Sequence, residues 1–377
     1  MRSPTVSPKP ALLTEAGALA VIAAGGTGGH LFPAQALAEA LIARGWRIAL
    51  ATDRRTEGLA ESFPAEQKIA IASATFAGGP AARAAQFIAI LRGVMEARAT
   101  LEALGPKVVV GFGGYPSIPT LIAARTLGLR TVIHEANAVM GRANRLLAPA
   151  VTEVACAFPT LMNAAPSVKA RAVVVGSPVR PAIRALAGQG YTPPTADGPL
   201  RLFVTGGSQG ARILSSMVPE AVALLPRGLR SRLEVVQQTR AETFEAAEAI
   251  YRGAGVRAEL APFFADMAAR WTWAHLAISR AGASTVSEIA VAGRPAILVP
   301  LGVALDDDQG QNARLLAEAG AAEVFREGDL TADILAGAMA DLLADPERLT
   351  RMAAAAASVA KPDAAEHLAD LVERAAA

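Results

Sequence analysis

The stretch at residues 18–30, ALAVIAAGGTGGH, leads from an apolar run into a glycine-rich turn, and the alanine-rich segment 33–44 after it predicts a helix. A buried strand, a glycine turn and a helix form one βα unit of a parallel sheet. The stretch at 202–211, LFVTGGSQGA, repeats this arrangement in the second half of the chain. Two such starts predict two doubly wound sheets, one in each half.

Further strand-like runs follow each of the two starts, and helical segments separate them. They are WRIALATD (46–53), KVVVGFGGYPS (107–117), RTVIHEAN (130–137) and VVVGSPVR (173–180) in the first half, and RLEVVQQT (232–239), HLAISRAGAS (275–284) and RPAILVPL (294–301) in the second. Continuous apolar strands between amphipathic helices are typical of parallel sheets covered on both faces. We therefore predict the α/β class, with two Rossmann-like doubly wound domains that face a central, ligand-binding cleft.

The chain of 377 residues is long enough for two domains. A stretch rich in proline and glycine, GQGYTPPTADGP (188–199), precedes the second glycine turn, so the boundary is expected between Arg180 and Leu200. The first residues hold three prolines, which is typical of a disordered tail. The predicted units are the tail (1–13), a first domain (14–185), a second domain (186–361) and a C-terminal helix with Pro362 near its start (362–377).

The composition excludes several classes of protein. Lysine and arginine number 36 against 34 acidic residues, a balance that argues against nucleic-acid binding. One cysteine, Cys156, allows no internal disulfide, and four scattered histidines predict no zinc cluster. The start of the chain lacks the apolar core of a signal peptide, and the longest uncharged run, 108–124, holds three glycines and two prolines. We therefore expect a soluble protein.

The loop GGTGGH (25–30) matches neither of the two best-known phosphate-binding loops. The dinucleotide fingerprint needs a third glycine that is absent here, and the Walker loop needs a lysine. Free N–H groups and the helix dipole still favour an anion, although a closely packed turn is the alternative. His30 stands at the end of the strand, where a neutral imidazole can remove a proton from a hydroxyl; the alternative is a histidine without a chemical role.

The most specific loop of the second half is SRAGASTVSE (279–288). Its hydroxyl-rich helix start suits a diphosphate, and a carboxylate at Glu288 suits the hydroxyls of a sugar such as ribose. The alternative is ordinary N-capping by Ser284 or Thr285, with Glu288 in a capping box.

Two other loops of the second half carry polar groups beside predicted helices. TGGSQGAR (205–212) offers Ser208 and several backbone donors. The acidic loop ALDDDQGQNA (304–313) is either a Ca²⁺ or Mg²⁺ site or a solvated loop whose Gln309 and Asn312 face a ligand, and the second interpretation is preferred.

In the first half, GGYPS (113–117) and HEAN (134–137) each follow an apolar strand. Polar residues at strand ends point into the cleft in this architecture. The alternative is that His134 and Glu135 satisfy each other structurally, and both interpretations stay open.

Taken together, in their order and spacing, these stretches resemble the MurG family of bacterial glycosyltransferases. The resemblance extends from about residue 18 to the end of the chain and rests on GGTGGHLFPAQALAEAL, GFGGYPSIP, HEANAVMGRANR, GSPVR, VTGGSQGAR, FFADM, SRAGASTVSE and DDDQGQNA. It implies the GT-B fold, with the C-terminal helix packed back on the first domain. It also implies inverting transfer of N-acetylglucosamine from UDP-N-acetylglucosamine to the 4-hydroxyl of undecaprenyl-pyrophosphoryl-N-acetylmuramoyl-pentapeptide (lipid I), a step of peptidoglycan synthesis that uses no metal and no cofactor.

The resemblance also assigns roles to individual positions. His30 corresponds to the family's candidate base, Glu288 to a ribose ligand, and Asn137 and Gln309 to sugar ligands, while Phe264 is expected to meet uracil through its backbone. The full set of implied donor-binding residues is Thr27, Gly28, Gly29, Asn137, Arg180, Ser208, Phe264, Ala283, Ser284, Thr285, Val286, Ser287, Glu288 and Gln309.

Three positions depart from the family's usual pattern, which has Gln at Ala136, Asn at Ser177 and His or Gln at Asp308. The change at Asp308 matters most, because it replaces a neutral or basic group beside Gln309, the expected sugar ligand. Another GT-B enzyme that transfers a UDP-sugar to a lipid acceptor is the alternative among glycosyltransferases. A UDP-sugar epimerase or a non-catalytic nucleotide-sugar binder is the alternative of a different class.

A lipid-linked acceptor calls for a membrane-docking surface, and segment 81–101 is the candidate. It carries Phe87, Ile88, Ile90 and Leu91 among Arg83, Arg92 and Arg98. An apolar patch with a basic rim suits peripheral attachment to anionic lipid, and the alternative is an amphipathic helix packed on the sheet. The resemblance favours attachment to the cytoplasmic face of the inner membrane.

Overall fold

The computed structural model describes residues 17–25, 28–53, 61–72, 80–207, 210–302 and 306–377. Its described strands form two parallel sheets, one in each half of the chain. The strands of the first sheet are β1 (Leu19–Ala23), β2 (Arg47–Thr52), β3 (Gln67–Ala70), β4 (Val108–Gly111), β5 (Arg130–Glu135), β6 (Glu153–Cys156) and β7 (Ala172–Val174). Those of the second are β8 (Leu200–Thr205), β9 (Leu233–Gln238), β10 (Arg257–Ala261), β11 (Leu276–Ser279), β12 (Ala296–Leu298) and β13 (Ala322–Val324).

Both sheets are doubly wound. The first has the order β3-β2-β1-β4-β5-β6-β7 and the second β10-β9-β8-β11-β12-β13. The strand order therefore reverses between β1 and β4 in one sheet and between β8 and β11 in the other. Ligands of such sheets bind at this reversal, beyond the carboxyl ends of the strands. The α/β prediction with two Rossmann-like sheets is confirmed.

Helices cover both faces of each sheet. They are α1 (Gly28–Ala43), α2 (Pro80–Leu104), α3 (Ser117–Thr126), α4 (Arg142–Leu147), α5 (Pro166–Lys169), α6 (Pro181–Arg184), α7 (Arg212–Leu224), α8 (Arg227–Arg230), α9 (Phe244–Gly253), α10 (Met267–Trp273), α11 (Ala283–Ala292), α12 (Asp308–Glu318), α13 (Ala332–Leu343), α14 (Pro346–Ser358) and α15 (Ala364–Ala376). The described residues include no helix that is both long and apolar enough to cross a membrane.

The first helix begins earlier than the sequence predicts. The predicted start was residue 33, but α1 begins at Gly28 and holds Pro33 in its interior. Proline lacks the N–H that would bond to the carbonyl four residues before it, and its fixed φ suits a helical residue. The cost is therefore one backbone hydrogen bond near the helix start. The earlier start places Gly28, Gly29 and His30 in the first turn of the helix.

Each sheet has an apolar core on both faces. In the first sheet, one core includes residues of α1 and α15, and the other includes residues of α2 and α3. In the second sheet, one core includes α10, α11 and α12, and the other includes α7, α9 and α13. Helix α15 therefore belongs to the first sheet, because it packs on α1, β4 and β5.

Arg44, which follows α1, holds the C-terminal helix in place through charge. Its guanidinium donates to Glu366 and Asp370 at 2.7 Å and to Glu373 at 2.8 Å. Trp46 adds an N–H bond to Glu373 at 3.0 Å. One cation thus serves three carboxylates, which would otherwise repel one another along one face of α15.

We predict that Arg44→Met lowers the free energy of unfolding by about 1 kcal/mol, because three carboxylates lose a shared partner at a partly exposed site. Arg252→Met is the matched control, since Arg252 forms an exposed pair with Glu248. The control should cost no more than about 0.5 kcal/mol. Equal losses for both variants in thermal or denaturant unfolding would contradict the anchoring role.

Candidate active site

A cavity of about 600 Å³ lies between the two sheets, at the carboxyl ends of their strands. Residues of the first half that line it are Gly28, Gly29, His30, Phe32, Ala136, Asn137 and Arg180. Those of the second half are Thr205, Gly206, Gly207, Gly210, Ala211, Arg212, Ile213, Gln238, Arg240, Phe263, Phe264, Met267, Arg280, Gly282, Ala283, Ser284, Thr285, Glu288, Leu301, Gln309 and Glu327. Its volume suits a ligand of the size of a nucleotide sugar.

His30 lies on the first wall, packed closely against the loop after β4. Gly113 and Gly114 have φ of +83° and +73° there, and a Cβ at either would lie 3.5 or 3.6 Å from the His30 ring. The Nδ1 atom of His30 is buried and has no hydrogen-bond partner among the described residues. Burial lowers the pKa of His30, although a hydrogen bond with the Phe112 carbonyl opposes the shift. The ring is therefore neutral near pH 7 and able to accept a proton.

A second neutral histidine lies behind this wall. His134 is fully buried at the end of β5, donates from Nε2 to the Gly176 carbonyl at 2.9 Å, and packs on the ring of Phe112. Burial lowers its pKa to about 4, helped by the nearby His30 and opposed by the Gly176 bond. Since Nε2 carries the proton, Nδ1 holds a lone pair. His134 does not line the cavity.

Glu135 organises the loop that follows β5. Its carboxylate accepts from the backbone N–H groups of Asn137 and Gly141, each at 2.9 Å, and from Asn144 Nδ2 at 2.9 Å. The suggestion that His134 and Glu135 satisfy each other is therefore wrong, because each bonds to a different part of the chain. Successive residues of a strand point to opposite faces of the sheet, which keeps the two side chains apart.

The second wall is built on the first turn of α11. Its N-cap is Gly282, and no side chain caps the helix, so the capping interpretation of Ser284, Thr285 and Glu288 is wrong. The free N–H groups of this turn and the positive end of the helix dipole consequently face the cavity. The Ser284 hydroxyl is buried without a partner among the described residues.

Only part of the predicted 283–288 set lies in the cavity. Ala283, Ser284, Thr285 and Glu288 line it. Val286 is fully buried in the apolar core, and Ser287 lines a separate, smaller cavity of about 270 Å³. Helix geometry is the reason, since consecutive residues are about 100° apart and cannot all face one side.

Glu288 links the two walls. One of its oxygens accepts from Trp271 Nε1 at 3.0 Å, and the other accepts from Arg180 Nη2 at 3.3 Å. Burial raises the pKa of Glu288, while Arg180 and Trp271 favour the charged form. Arg180 also lies over the Phe32 ring, with 5.1 Å to its centroid. An ion pair between the two halves of the chain therefore crosses the cavity.

Sequence reasoning missed Gln238, which shapes the second glycine loop. Its Oε1 accepts from Gly206 N and Thr205 Oγ1 at 3.0 Å, and its Nε2 donates to the carbonyls of Gly207 and Pro262. The sequence did contain a signal for this role, because Gln238 is a polar residue at the carboxyl end of an apolar strand, where side chains reach the cleft.

The positive charge of the second wall was also missed. Arg212, Arg240 and Arg280 line the cavity there, and Arg280 is held by two carbonyls and by Glu327. With Arg180, four arginines line the cavity against two glutamates, and Arg240 also pairs with Glu242 at 2.6 Å. The positive charge that remains favours an anionic ligand.

The acidic loop contributes one of its two predicted ligand-facing residues to the cavity. Gln309 lines it, and its Oε1 accepts from Leu301 N at 3.1 Å. Asn312 is fully buried instead of facing a ligand. The described residues hold no group of three histidine, cysteine, aspartate or glutamate side chains able to bind a metal ion.

The remaining predicted residues fall in several places. Thr27 and Ser208 lie outside the described residues. Gly28, Gly29, His30, Asn137, Arg180, Phe264 and Gln309 line the cavity. The Phe264 side chain is buried and packs edge-on against Phe203.

On α2, Phe87, Ile88 and Leu91 are exposed by 57%, 58% and 48%, with Arg92 exposed beside them. Ile90 is buried, so its predicted place on the surface is wrong. Met95 is 72% exposed and extends the patch, although the sequence did not single it out. The Arg83 side chain lies outside the described part of the chain, and Arg98 bonds to Glu102 and Thr126.

Comparison with known proteins identifies the family. The glycosyltransferase family 28 N-terminal domain matches residues 20–156, and the family's C-terminal domain matches residues 201–368. A Phenylobacterium zucineum protein, UDP-N-acetylglucosamine--N-acetylmuramyl-(pentapeptide) pyrophosphoryl-undecaprenol N-acetylglucosamine transferase, is 64% identical over 358 residues, which are 95% of this chain and 98% of the relative. The crystal structure of Acinetobacter baumannii MurG is 32% identical, with a TM-score of 0.77 and coverage of 95% of this chain and 99% of that one. The chain belongs to the MurG family.

The similarity to the MurG family covers both halves of the chain. A second relative of the same printed name, from Caulobacter vibrioides, is 59% identical over 359 residues, which are 95% of this chain and 99% of the relative. The two matched domains correspond to the two sheets, and the cavity lies between them. The GT-B glycosyltransferase architecture expected of a MurG-family protein is therefore confirmed.

The buried neutral His134 predicts a loss of stability in acid. Its folded pKa of about 4 lies below the value of about 6.5 expected in the unfolded chain, so its contribution is complete above pH 6.5 and is lost as the pH falls towards 4. At pH 5 the loss is about 2 kcal/mol relative to pH 7.5. His134→Gln keeps a donor for Gly176 but does not titrate, so it should lose about 2 kcal/mol less than the wild type over this interval.

Denaturant unfolding at both pH values measures the difference. The difference between wild type and variant removes the contribution of other groups that titrate over this interval. One such group is His275, whose pKa is also lowered to about 4 by burial and by neighbouring arginines. The same acid loss in both proteins would show that His134 is not the responsible group.

Proposed function

We propose that this protein transfers N-acetylglucosamine from UDP-N-acetylglucosamine to lipid I, which yields lipid II. The observation that carries the proposal is one cavity with a neutral histidine on one wall and an uncapped helix start with arginines on the other. An inverting displacement needs a base on one side of the anomeric carbon and a stabilised leaving diphosphate on the other. Its close relatives carry the name of this transferase.

The second wall is proposed to hold the UDP part of the donor. The first turn of α11 offers N–H groups to the diphosphate at Ala283, Ser284 and Thr285, and the arginines add positive charge. Glu288 is proposed to accept the ribose hydroxyls, in exchange for part of its bond to Arg180. The Phe264 backbone is proposed to meet the uracil edge.

The first wall is proposed to hold the acceptor and the reacting sugar. His30 accepts the proton of the N-acetylmuramoyl 4-hydroxyl as its oxygen attacks the anomeric carbon. The bond from that carbon to the diphosphate breaks, and UDP leaves with the electron pair. Burial keeps His30 neutral before the reaction. Asn137 and Gln309 are proposed to bind the transferred sugar.

The direct test is transfer of labelled N-acetylglucosamine from its UDP donor to a lipid I analogue with a short chain. Formation of the disaccharide product in equal amount with UDP supports the proposal. UDP release without a labelled lipid product would overturn it, and conversion of the sugar nucleotide to an epimer would indicate the alternative class.

His30→Ala is predicted to lower kcat by about 10²–10⁴-fold, because the attacking hydroxyl loses its base. The dissociation constant for UDP should stay within about twofold, since His30 lies on the opposite wall. His367→Ala, a change at an exposed histidine on α15, is the matched control and should keep full turnover. Wild-type kcat in His30→Ala would exclude His30 as the base.

The exposed patch on α2 is proposed as the surface that docks on an anionic membrane at the cytoplasmic face of the cell membrane. Phe87, Ile88, Leu91 and Met95 are all at least 48% exposed, and their spacing places them along one side of the helix. Arg92 stands next to them. Insertion of the apolar side chains and attraction of arginine to lipid head groups act together at such a surface.

Phe87→Ser with Ile88→Ser is predicted to lower the fraction bound to phosphatidylglycerol vesicles by at least about fivefold in a flotation assay, because two large apolar side chains no longer insert. Leu224→Ser with Ile334→Ser is the matched control, since these residues are exposed on helices of the second half. Unchanged flotation of the α2 variant would rule out this surface.

A further inference from the structure

Asn312 lies fully buried on α12, where the two halves of the chain meet. Its Oδ1 accepts from Ala138 N at 2.9 Å, and its Nδ2 donates to Asn137 Oδ1 at 3.0 Å and to the Ala281 carbonyl at 3.2 Å. Ala138 and Asn137 belong to the loop after β5 in the first half, whereas Ala281 follows β11 in the second. The carboxamide of Asn312 therefore joins the two walls of the cavity.

The orientation of this carboxamide follows from its partners. A backbone N–H such as that of Ala138 requires an oxygen, and the Ala281 carbonyl requires an N–H. Both requirements are met by one orientation of Asn312, which leaves its second N–H for Asn137. Asn137 must then present its oxygen to Asn312. The Ala138 N–H and the Ala281 carbonyl thus fix the orientation of the Asn312 carboxamide, which in turn fixes that of Asn137.

The consequence for the cavity is chemical. Oδ1 of Asn137 is occupied by Asn312, and one N–H of its Nδ2 points to Glu135 Oε1 at 3.5 Å. The group that Asn137 offers to a ligand is therefore the second N–H of Nδ2, a donor. Gln309 is in the same situation, because its Oε1 accepts from Leu301 N and its Nε2 has no partner among the described residues. Two carboxamides that line one cavity therefore both present N–H donors. A ligand group that binds between them must supply acceptor oxygens.

The loop that carries Asn137 is held from its other side as well. Glu135 accepts from the N–H of Asn137, and Ala138 and Met140 pair with Met162 through backbone bonds of 2.7 and 2.9 Å. The backbone of Asn137 is therefore fixed, and only rotation of its side chain can change the orientation of its carboxamide.

We propose that Asn312 is a positioning residue for the transferred sugar. It acts through Asn137, whose N–H group it turns toward the cavity to bind a hydroxyl or acetamido oxygen of the sugar. This inference rests on the proposed function, because it assumes that a nucleotide sugar occupies the cavity. The proposal concerns the sugar part of the donor alone, since UDP lacks the hydroxyl and acetamido oxygens that Asn137 would bind.

The test compares the affinities of UDP and UDP-N-acetylglucosamine by titration calorimetry. Asn312→Asp has the same shape and still accepts from Ala138, but its carboxylate cannot donate to Asn137 or to the Ala281 carbonyl. Asn137 Oδ1 then loses its donor, and its amide is no longer held in the orientation that presents an N–H to the sugar. We expect UDP-N-acetylglucosamine to bind about tenfold more weakly, which is the loss of one good hydrogen bond, and UDP to bind as to the wild type.

Two further variants show whether Asn312 acts through Asn137. Asn137→Ala should weaken sugar-nucleotide binding by itself, and adding Asn312→Asp to it should cause no further loss in the ratio of the two affinities. Gln311→Glu makes the same amide-to-acid change one residue earlier on α12, outside the cavity lining, and should leave both affinities unchanged. A double variant that loses no more sugar-nucleotide affinity than Asn137→Ala alone supports the proposal.

Three results would overturn the proposal. They are an unchanged affinity ratio in Asn312→Asp, equal weakening of UDP and UDP-N-acetylglucosamine together with a lower unfolding temperature, and full additivity with Asn137→Ala. Failure of the wild type to bind UDP-N-acetylglucosamine would overturn the proposed function itself. The two failures are therefore distinguishable.

Discussion

Buried hydrogen bonds between Asn312 and the loop after β5 are the constraint on which the geometry of the cleft depends. A buried polar group without a partner costs about 1–3 kcal/mol, so the carboxamide, the Ala138 N–H and the Ala281 carbonyl must meet in one arrangement. Glu135 holds the same loop from the side of the first sheet. The carboxyl ends of two separate sheets are thereby brought to a defined distance, and the cavity between them has its shape for that reason.

The two walls of this cavity differ in their electrostatic character. On the first wall, burial keeps His30 and the supporting His134 neutral, which suits proton acceptance. On the second, the uncapped start of α11 and three arginines create positive potential, which suits a diphosphate. Arg180 reaches from one wall to Glu288 on the other. A base and a stabilised leaving group on opposite sides of one carbon are what an inverting transfer requires.

The sequence predicted much of the site because polar residues at the ends of parallel strands must meet at one edge of the sheet. This rule placed His30, Asn137 and the 279–288 loop around one cleft. It failed where the direction of a single side chain mattered. Val286 and Ser287 turn away from the cavity on their helix, Ile90 turns into the core, and Asn312 bonds to the opposite wall instead of facing a ligand. Gln238 and Trp271 were missed because their roles depend on partners distant in the chain.

By itself, the sequence determined the α/β class, the two glycine turns at the heads of two doubly wound sheets, and the family, because these follow from local periodicity and from motifs in a set order. Only the tertiary structure decided which member of each motif faces the ligand, which carboxamide presents a donor, and which histidine lies behind the wall. Those outcomes depend on contacts between residues more than 100 positions apart, such as Asn137 with Asn312 and Arg180 with Glu288. No local pattern encodes the orientation of an amide or the burial of a ring, because both are set by the partner that arrives from the other half of the chain.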